Sequence, residues 1–521
     1  MMNINKLTCA AGLALAVGAV GCNNDSLTNL NNNPNNPTSA PSGPVFTSAA
    51  RLSASQFVGN NYDLRQTQFV AQHWAEAQYP TEDTYARLDP SGTQNAWNVS
   101  YYTQMEDLKK VSDGGLAAKA PGTWGPAQVL LQWNYEYLTD TWGNIPYSQA
   151  LKGDSLGGSL TPAYDAQKDV YAGMFATLTA DAAALKGAAN SLGSADPIYQ
   201  GNTAQWAKFA NSLRARLAIR LVNVDPATAD AQLKAAFTDP AGVFASNADQ
   251  AKLTWPGDGI YNNPMTDNFS TRDDHRVSKT LANILINSND PRLKVWLQPV
   301  ADSSLSGPLG YYGMPNGLTA ANAGTYLRTA SRLGSYWYPG ATTYGTLGSA
   351  ANKKNPSFYM TYAELALIQA EAAQRGLGGL TPAQAPGFYI AGITASMTQW
   401  GVSASAIATY LAQPSVVYAG GNAGLVQIAT QKWLALIDDG GQAWAEWRRT
   451  CQPSTIAPGP AAVVPYVPRR FYYPTTEYSI NPTGVKNAVA AQGTDNFATR
   501  MYWDTKPTAA PTYVSAAVCG P

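Results

Sequence analysis

Histidine and charge are what this chain has least of. Two of its 521 residues are histidine, His73 and His275, and 13% are charged, with Lys plus Arg equal to Asp plus Glu at 34 each. Balanced, sparse charge produces no net field that favours nucleic acid or an anionic surface, so partners have to be recognised by shape and neutral contacts. Neither histidine stands in a metal-ligand spacing such as His-Glu-x-x-His, and no zinc site is expected. A Gly-x-Ser-x-Gly elbow and a Gly-x-x-x-x-Gly-Lys-Ser/Thr loop are also missing, which leaves nucleophilic and nucleotide chemistry without support and gives no reason to expect a cofactor. Asp273-Asp274 and Asp438-Asp439 have the chemistry to ligate calcium, yet lone acidic pairs are more often solvated loop or helix-end residues, so no metal is expected. Glycoside hydrolysis needs only two carboxylates and stays open as a lesser alternative. Glu364 and Glu371 share a helical face but are read as structural, and no catalytic residue is assigned.

Cysteine is scarce as well, with four in the chain. Lys6 precedes the apolar run Leu7 to Val20, which is too short to span a bilayer and suits the apolar core of a secretion signal. The run ends in Ala19-Val20-Gly21-Cys22, similar to the lipobox at which bacterial lipoproteins are cleaved and acylated, with Ala19 where Leu is preferred. Residues 1–21 are therefore read as a signal peptide and Cys22 as the lipidated residue, ordinary signal cleavage nearby being the alternative. Cys9 falls in the signal, so Cys451 and Cys519 are what remains for the folded body. An exported compartment permits them to pair, and the sequence leaves a disulfide and two free thiols both open.

Residues 22–44 (CNNDSLTNLNNNPNNPTSAPSGP) are rich in Asn, Pro and Ser, bury almost nothing, and are read as a flexible tether. The body, 45–521, is long enough to bury about three quarters of its unfolded surface. Apolar residues recur at helical spacing through most of it. The clearest helix is 205–221, where Trp206, Phe209, Ala210, Leu213, Leu217 and Leu221 form one stripe, while Arg214, Arg216 and Arg220 lie off it, as buried partners or solvated charges. Further helices are expected at 125–139, stopped by Gly143, at 161–185, capped by Thr161 and Pro162, and at 356–376. Residues 425–449 read as two helices broken at Gly440-Gly441. Paired helices with Ala at the contacts make the fold mainly α, built of tetratricopeptide-like units, though no strict repeat period is visible. From about 251 to 355 the pattern turns to Gly, Asn, Pro and Tyr with little periodicity, and long irregular stretches in compact proteins tend to be functional.

What the chain does have is aromatic residues with a polar handle, 14 Trp and 29 Tyr against 12 Phe. Such rings offer flat apolar faces to sugars or other neutral solutes, with amides and hydroxyls nearby for hydrogen bonds. Two loops supply that combination. The first, 78–97, carries Tyr79, Tyr85, Arg87, Asn95 and Trp97. The second, within 255–345, carries Trp255, Tyr261, Asn262, Asn263, Tyr311, Tyr336, Trp337 and Tyr338. Trp97 and Trp337 are the leading ring faces, and packing in a loop core or against a partner is the competing role for every ring. Trp444 and Trp447, three apart on one helix face, are read as core, and Arg448-Arg449 as bonded to nearby carbonyls or acids.

The ordered set of blocks NNNPNNPT, LTDTWGNIPYSQAL, TPAYDAQKDVY, NSLRARLAIRL, YAELALIQAEAA, QKWLALIDDGGQAWAEWRRT and RRFYYPTTEYSIN resembles the SusD/RagB family of outer-membrane lipoproteins, which bind nutrients beside a TonB-dependent transporter. The similarity spans nearly the whole mature chain. It implies four tetratricopeptide-like helix pairs, a loop-rich ligand-binding half, and a lid role over a SusC-like barrel. The resulting expectation is a lipid-anchored outer-membrane protein facing the cell exterior that binds an oligosaccharide or similar nutrient without covalent chemistry. A helical scaffold or adhesin that binds other proteins is the second hypothesis.

Overall fold

The computed structural model describes residues 40–154, 157–300, 310–338 and 351–505. The signal segment, Cys22, all but the end of the tether, and Cys519 lie outside the described residues. Ser42–Pro44, read from sequence as the last of the tether, already form the first turn of a helix.

The helices that build the body are α1 (Ser42–Phe57), α2 (Met105–Ala117), α3 (Pro121–Trp142), α4 (Gln167–Leu185), α5 (Thr203–Arg220), α6 (Pro226–Thr238), α7 (Lys279–Asn287), α8 (Tyr362–Arg375), α9 (Ala385–Gln399), α10 (Gly421–Ala435) and α11 (Gly440–Thr450). Sequence neighbours pack as tetratricopeptide-like pairs, α2 on α3, α4 on α5, α8 on α9 and α10 on α11, with α5 also against α3, α6 and α8. None of the described helices is long and apolar enough to cross a membrane.

Helix α5 shows how the chain reaches this arrangement. The Asn202 side chain accepts from the Gln205 amide at 3.2 Å and opens the helix. Trp206, Phe209, Leu213 and Leu217 are fully buried, as their stripe predicts. So are Arg216 and Arg220, which settles their two possible roles: Arg216 donates to both carboxylate oxygens of Glu136 on α3, at 3.0 and 2.5 Å, and Arg220 lies 3.0 Å from Asp140. Charges this deep persist only when partnered.

Several boundaries differ from the sequence reading. Thr161-Pro162 do not start a helix, because Tyr164–Asp165 (β3) pair with Ile145–Pro146 (β2) before α4 begins at Gln167. Pro356–Met360 (β6) are a strand, paired antiparallel with Ala251–Thr254 (β4), and Thr361 caps α8 through the Glu364 amide. The two helices expected in 425–449 are α10 and α11, but the break falls at 436–439 and Gly440-Gly441 open α11, because Asp439 accepts from the Gln442 amide as its cap. Tertiary packing decides that start: an added Cβ on Gly440 would meet the Gln68 backbone at 2.6 Å. The irregular stretch contains α7 and β4, and a third strand pair joins Trp74–Glu76 (β1) to His275–Val277 (β5). Cys451 is disulfide-bonded.

Candidate binding groove

A concavity of about 590 Å³ lies between α1 and the loop that leaves β4. Its size is in the range of small-molecule and oligomer sites. Helix α1 is amphipathic: Phe46, Ala49, Ala50, Ala54 and Phe57 face the core and are fully buried. Its opposite face turns Pro44, Thr47, Ser48, Arg51, Leu52 and Ser55 into the groove. These residues recur three and four apart, so one helical face supplies a whole wall.

The other wall is Trp255, Ile260, Tyr261 and Asn262. Gly257 and Gly259, at φ +64° and +93°, let the chain reverse. The Asp258 carboxylate then accepts from the backbone N–H of Ile260 at 2.9 Å and of Tyr261 at 2.7 Å. Those two bonds hold Asp258 below the usual carboxylate range. The turn pushes Ile260 and Tyr261 outward, leaving them 81% and 45% exposed.

The guanidinium carbon of Arg51 lies 4.2 Å from the centroid of the Tyr261 ring. Arg51 Nε is buried with no hydrogen-bond partner among the described residues. The cation over the ring sets a charged group beside an aromatic surface that stays open to a ligand. Trp255 is nearly buried and its indole N–H donates to Ser357 Oγ at 2.9 Å, so it contributes a rigid edge rather than an open face. Thr47 Oγ1 donates to the Ala195 carbonyl at 2.5 Å and retains acceptor capacity.

Trp255, Tyr261 and Asn262 are thus brought together, and Arg51 and Leu52 join them from 200 residues upstream. Sequence reasoning passed over Arg51. Its only sequence signal was its place in the polar stripe Thr47-Ser48-Arg51-Ser55 opposite the apolar face of α1. The amides have other work: Asn262 accepts from Gly259 N at 3.1 Å and donates to Asp267 at 3.0 Å, while Asn263 caps the short helix Pro264–Phe269 through the Thr266 amide.

The remaining expected positions do not converge on this groove. Trp97 is 2% exposed, stacked on Tyr164 and edge-on to Trp142, and Trp337 is 1% exposed, edge-on to Trp74 and tilted against Trp400. Both leading ring faces are therefore core. Tyr85 and Tyr338 are also fully buried, the latter stacked on Phe269 at 4.6 Å. Tyr311 is buried and Tyr336 is partly so, its hydroxyl donating to the Pro356 carbonyl at 3.0 Å. Trp97, Trp337 and Tyr338 are each covered by rings far away in sequence. Arg87 and Asn95 are exposed and line a crevice of only about 20 Å³, room for no more than a water. Tyr79 stays 45% exposed, with the Arg272 guanidinium 4.9 Å from its ring centroid.

The Tyr79–Arg272 pair stands on a buried charge cluster. Glu76, Asp274 and His275 are the group among the described residues whose candidate metal-ligand atoms fall within 4.8 Å of one another. His275 Nδ1 lies 2.8 Å from Asp274 Oδ1 and 3.6 Å from Glu76 Oε2. Burial opposes a charged ring, but the two carboxylates outweigh it and hold His275 above its ordinary pKa. Burial in turn pushes the Glu76 carboxyl up to about 7. Glu76 also accepts from the backbone N–H of Tyr79, and Asp274 pairs with Arg272 at 3.2 Å. The β1–β5 register, which sets Glu76 opposite His275, creates this cluster, so it was not legible from His275 alone. Asp273 is engaged by Arg276 and Arg332, Asp438 accepts from the Trp337 indole at 3.2 Å, and Asp439 accepts from Tyr137 at 2.5 Å.

A family model described as "starch-binding associating with outer membrane", SusD-like, matches residues 34–474. Among solved structures, a chitin-binding SusD homolog from Flavobacterium johnsoniae is 26% identical with a TM-score of 0.74, over 88% of this chain and 98% of its own. A SusD homolog from Bacteroides uniformis is 25% identical with a TM-score of 0.72, over 89% and 99%. One from Parabacteroides distasonis reaches a TM-score of 0.76 at 23% identity, over 89% and 98%, and carries the likeness of fold. No curated protein matches the chain.

Proposed function

The chain belongs to the SusD-like family, and from that premise we propose that it is a surface-exposed, nutrient-binding lipoprotein that captures an oligosaccharide in the α1 groove and delivers it to a SusC-like TonB-dependent transporter. The observation that carries the proposal is the Arg51–Tyr261 stack, an exposed ring beside a guanidinium on a wall of hydroxyls. Stacking supplies affinity, and neutral polar groups with Arg51 supply orientation. The family description and the chitin-binding relative, similar over nearly its whole length, support glycan as the ligand class.

In this reading residues 1–21 are removed, Cys22 carries lipid at the outer membrane, and the segment from Cys22 to the start of α1 at Ser42 tethers a body that closes over the barrel mouth as a lid. No covalent chemistry is assigned. Calorimetry with chito- and malto-oligosaccharides tests the binding step: saturable binding weakened in Tyr261→Ala supports the groove, whereas binding untouched by that change relocates it. Appearance of shorter products during incubation would establish a glycan-degrading enzyme instead. Cross-linking the body to the barrel rim should block uptake, and undiminished transport would sink the lid.

A second reading, a scaffold or adhesin surface, has one observation in its favour. Ile260 at 81% and Leu52 at 37% exposure give the groove an apolar rim suited to protein contact. Pull-down of a protein other than a transporter, lost in Ile260→Asp, would favour it.

A further inference from the structure

A second groove, about 440 Å³, lies between α7 and the 455–460 loop and shares no lining residue with the first. Helix α7 is strongly two-sided. Leu281, Ala282 and Leu285 are fully buried. Thr280, Asn283, Ile284 and Asn287, spaced three and four apart, form the face that lines the groove. Asn283 and Asn287 are exposed, and neither amide hydrogen-bonds to another described residue. One helical turn separates them, about 6 Å along the axis, close to the length of one sugar unit. Lys279, at the head of the same face, is exposed and forms no ion pair with any described residue. Pro315, Pro458 and Pro460 make the facing wall rigid and apolar.

The floor is held under strain. Gln72 has φ +57°, in the left-handed region that a non-glycine residue enters only when its surroundings impose it. It is 3% exposed, and its amide ties the two walls together: Oε1 accepts from Thr280 Oγ1 at 2.7 Å and Nε2 donates to the Ala457 carbonyl at 2.5 Å. Asn316, beside it, is already spent, donating to Trp74 O and Asp83 and accepting from Ser278. The groove therefore fixes its walls with Gln72 and leaves Lys279, Asn283 and Asn287 open to solvent.

We propose that this groove is a second saccharide site, specific for an acidic sugar, in which Lys279 pairs with the carboxylate of a uronic acid unit and Asn283 and Asn287 bond the hydroxyls of the ring beside it. It needs no open aromatic face, and none of its lining residues is aromatic. The site stands independently of the α1 groove.

Calorimetry on the mature protein tests it with two matched probes, a galacturonate oligomer and a neutral galactose oligomer. The galacturonate oligomer should bind saturably and at least tenfold more tightly than the neutral one, weakening with added salt as a partly exposed ion pair does. Lys279→Met and the double change Asn283→Ala/Asn287→Ala should each weaken it tenfold or more, with thermal melts unchanged because all three side chains are exposed. Tyr261→Ala should leave it untouched, which separates this site from the α1 groove. Equal affinity for both oligomers, no binding of either, retention of full affinity in both groove variants, or loss in Tyr261→Ala would each overturn the proposal.

Discussion

Arg449 on α11 grips Glu371 on α8 with both arms of its guanidinium, Nη1 to Oε1 at 2.7 Å and Nη2 to Oε2 at 2.5 Å, and both side chains are fully buried. A parallel two-bond fork is the geometry that repays desolvation best. It joins two helices whose pairing the sequence alone left open.

Removing Arg449 takes away one of the two arginines that hold the Glu371 carboxylate in the interior, Arg375 being the other. Arg449→Leu should therefore cost about 3–5 kcal/mol, read from urea denaturation. Burial alone would raise the Glu371 pKa, but Arg449 and Arg375 outweigh it and hold the carboxyl well below its usual range. A depressed carboxylate contributes stability above its unfolded pKa and loses it as pH falls toward the folded value. Arg449→Leu should accordingly be least harmful in strong acid.

His73 adds a second acid-labile element. It is fully buried, with Nδ1 3.1 Å from Gln68 Oε1 and Nε2 3.0 Å from the Trp433 carbonyl. Burial pushes its pKa down from 6.5 to about 3. The unfolded chain thus binds a proton that the folded chain refuses, and stability falls as pH drops from 6.5 toward 3. The slope approaches about 1.4 kcal/mol per pH unit. His73→Gln should flatten it between pH 6.5 and 5; an unchanged slope there would refute the assignment.

The aromatic residues divide into two experimental classes. Trp97→Ala and Trp337→Ala should each lower stability by about 3–5 kcal/mol, as large cavities in a packed core do. Tyr261→Ala should leave the denaturation midpoint in place and weaken oligosaccharide binding about tenfold, roughly 1.4 kcal/mol, the order expected for one stacking contact.

The anchor has its own test. Mass spectrometry of the mature protein should find a diacylated N-terminal peptide beginning at Cys22, and Cys22→Ser should release the body from the membrane fraction. A mature chain beginning elsewhere would remove the anchor and leave the groove untouched.

Periodicity and capping were enough to locate α5, the helical parts of α3, α8 and α10, and the stop at Gly143, because those signals depend on residues within a few turns of one another. The ordered blocks were enough for the family. What the linear chain could not decide was which rings stay in water. Trp337 is buried because Trp74 and Trp400, hundreds of residues apart, close around it, while Tyr261 is held outward by Asp258 and met by Arg51 from α1. Exposure is a sum over non-local contacts. It therefore took the tertiary structure to move the candidate site from the tryptophans to a tyrosine and an arginine that the composition did not distinguish from their neighbours.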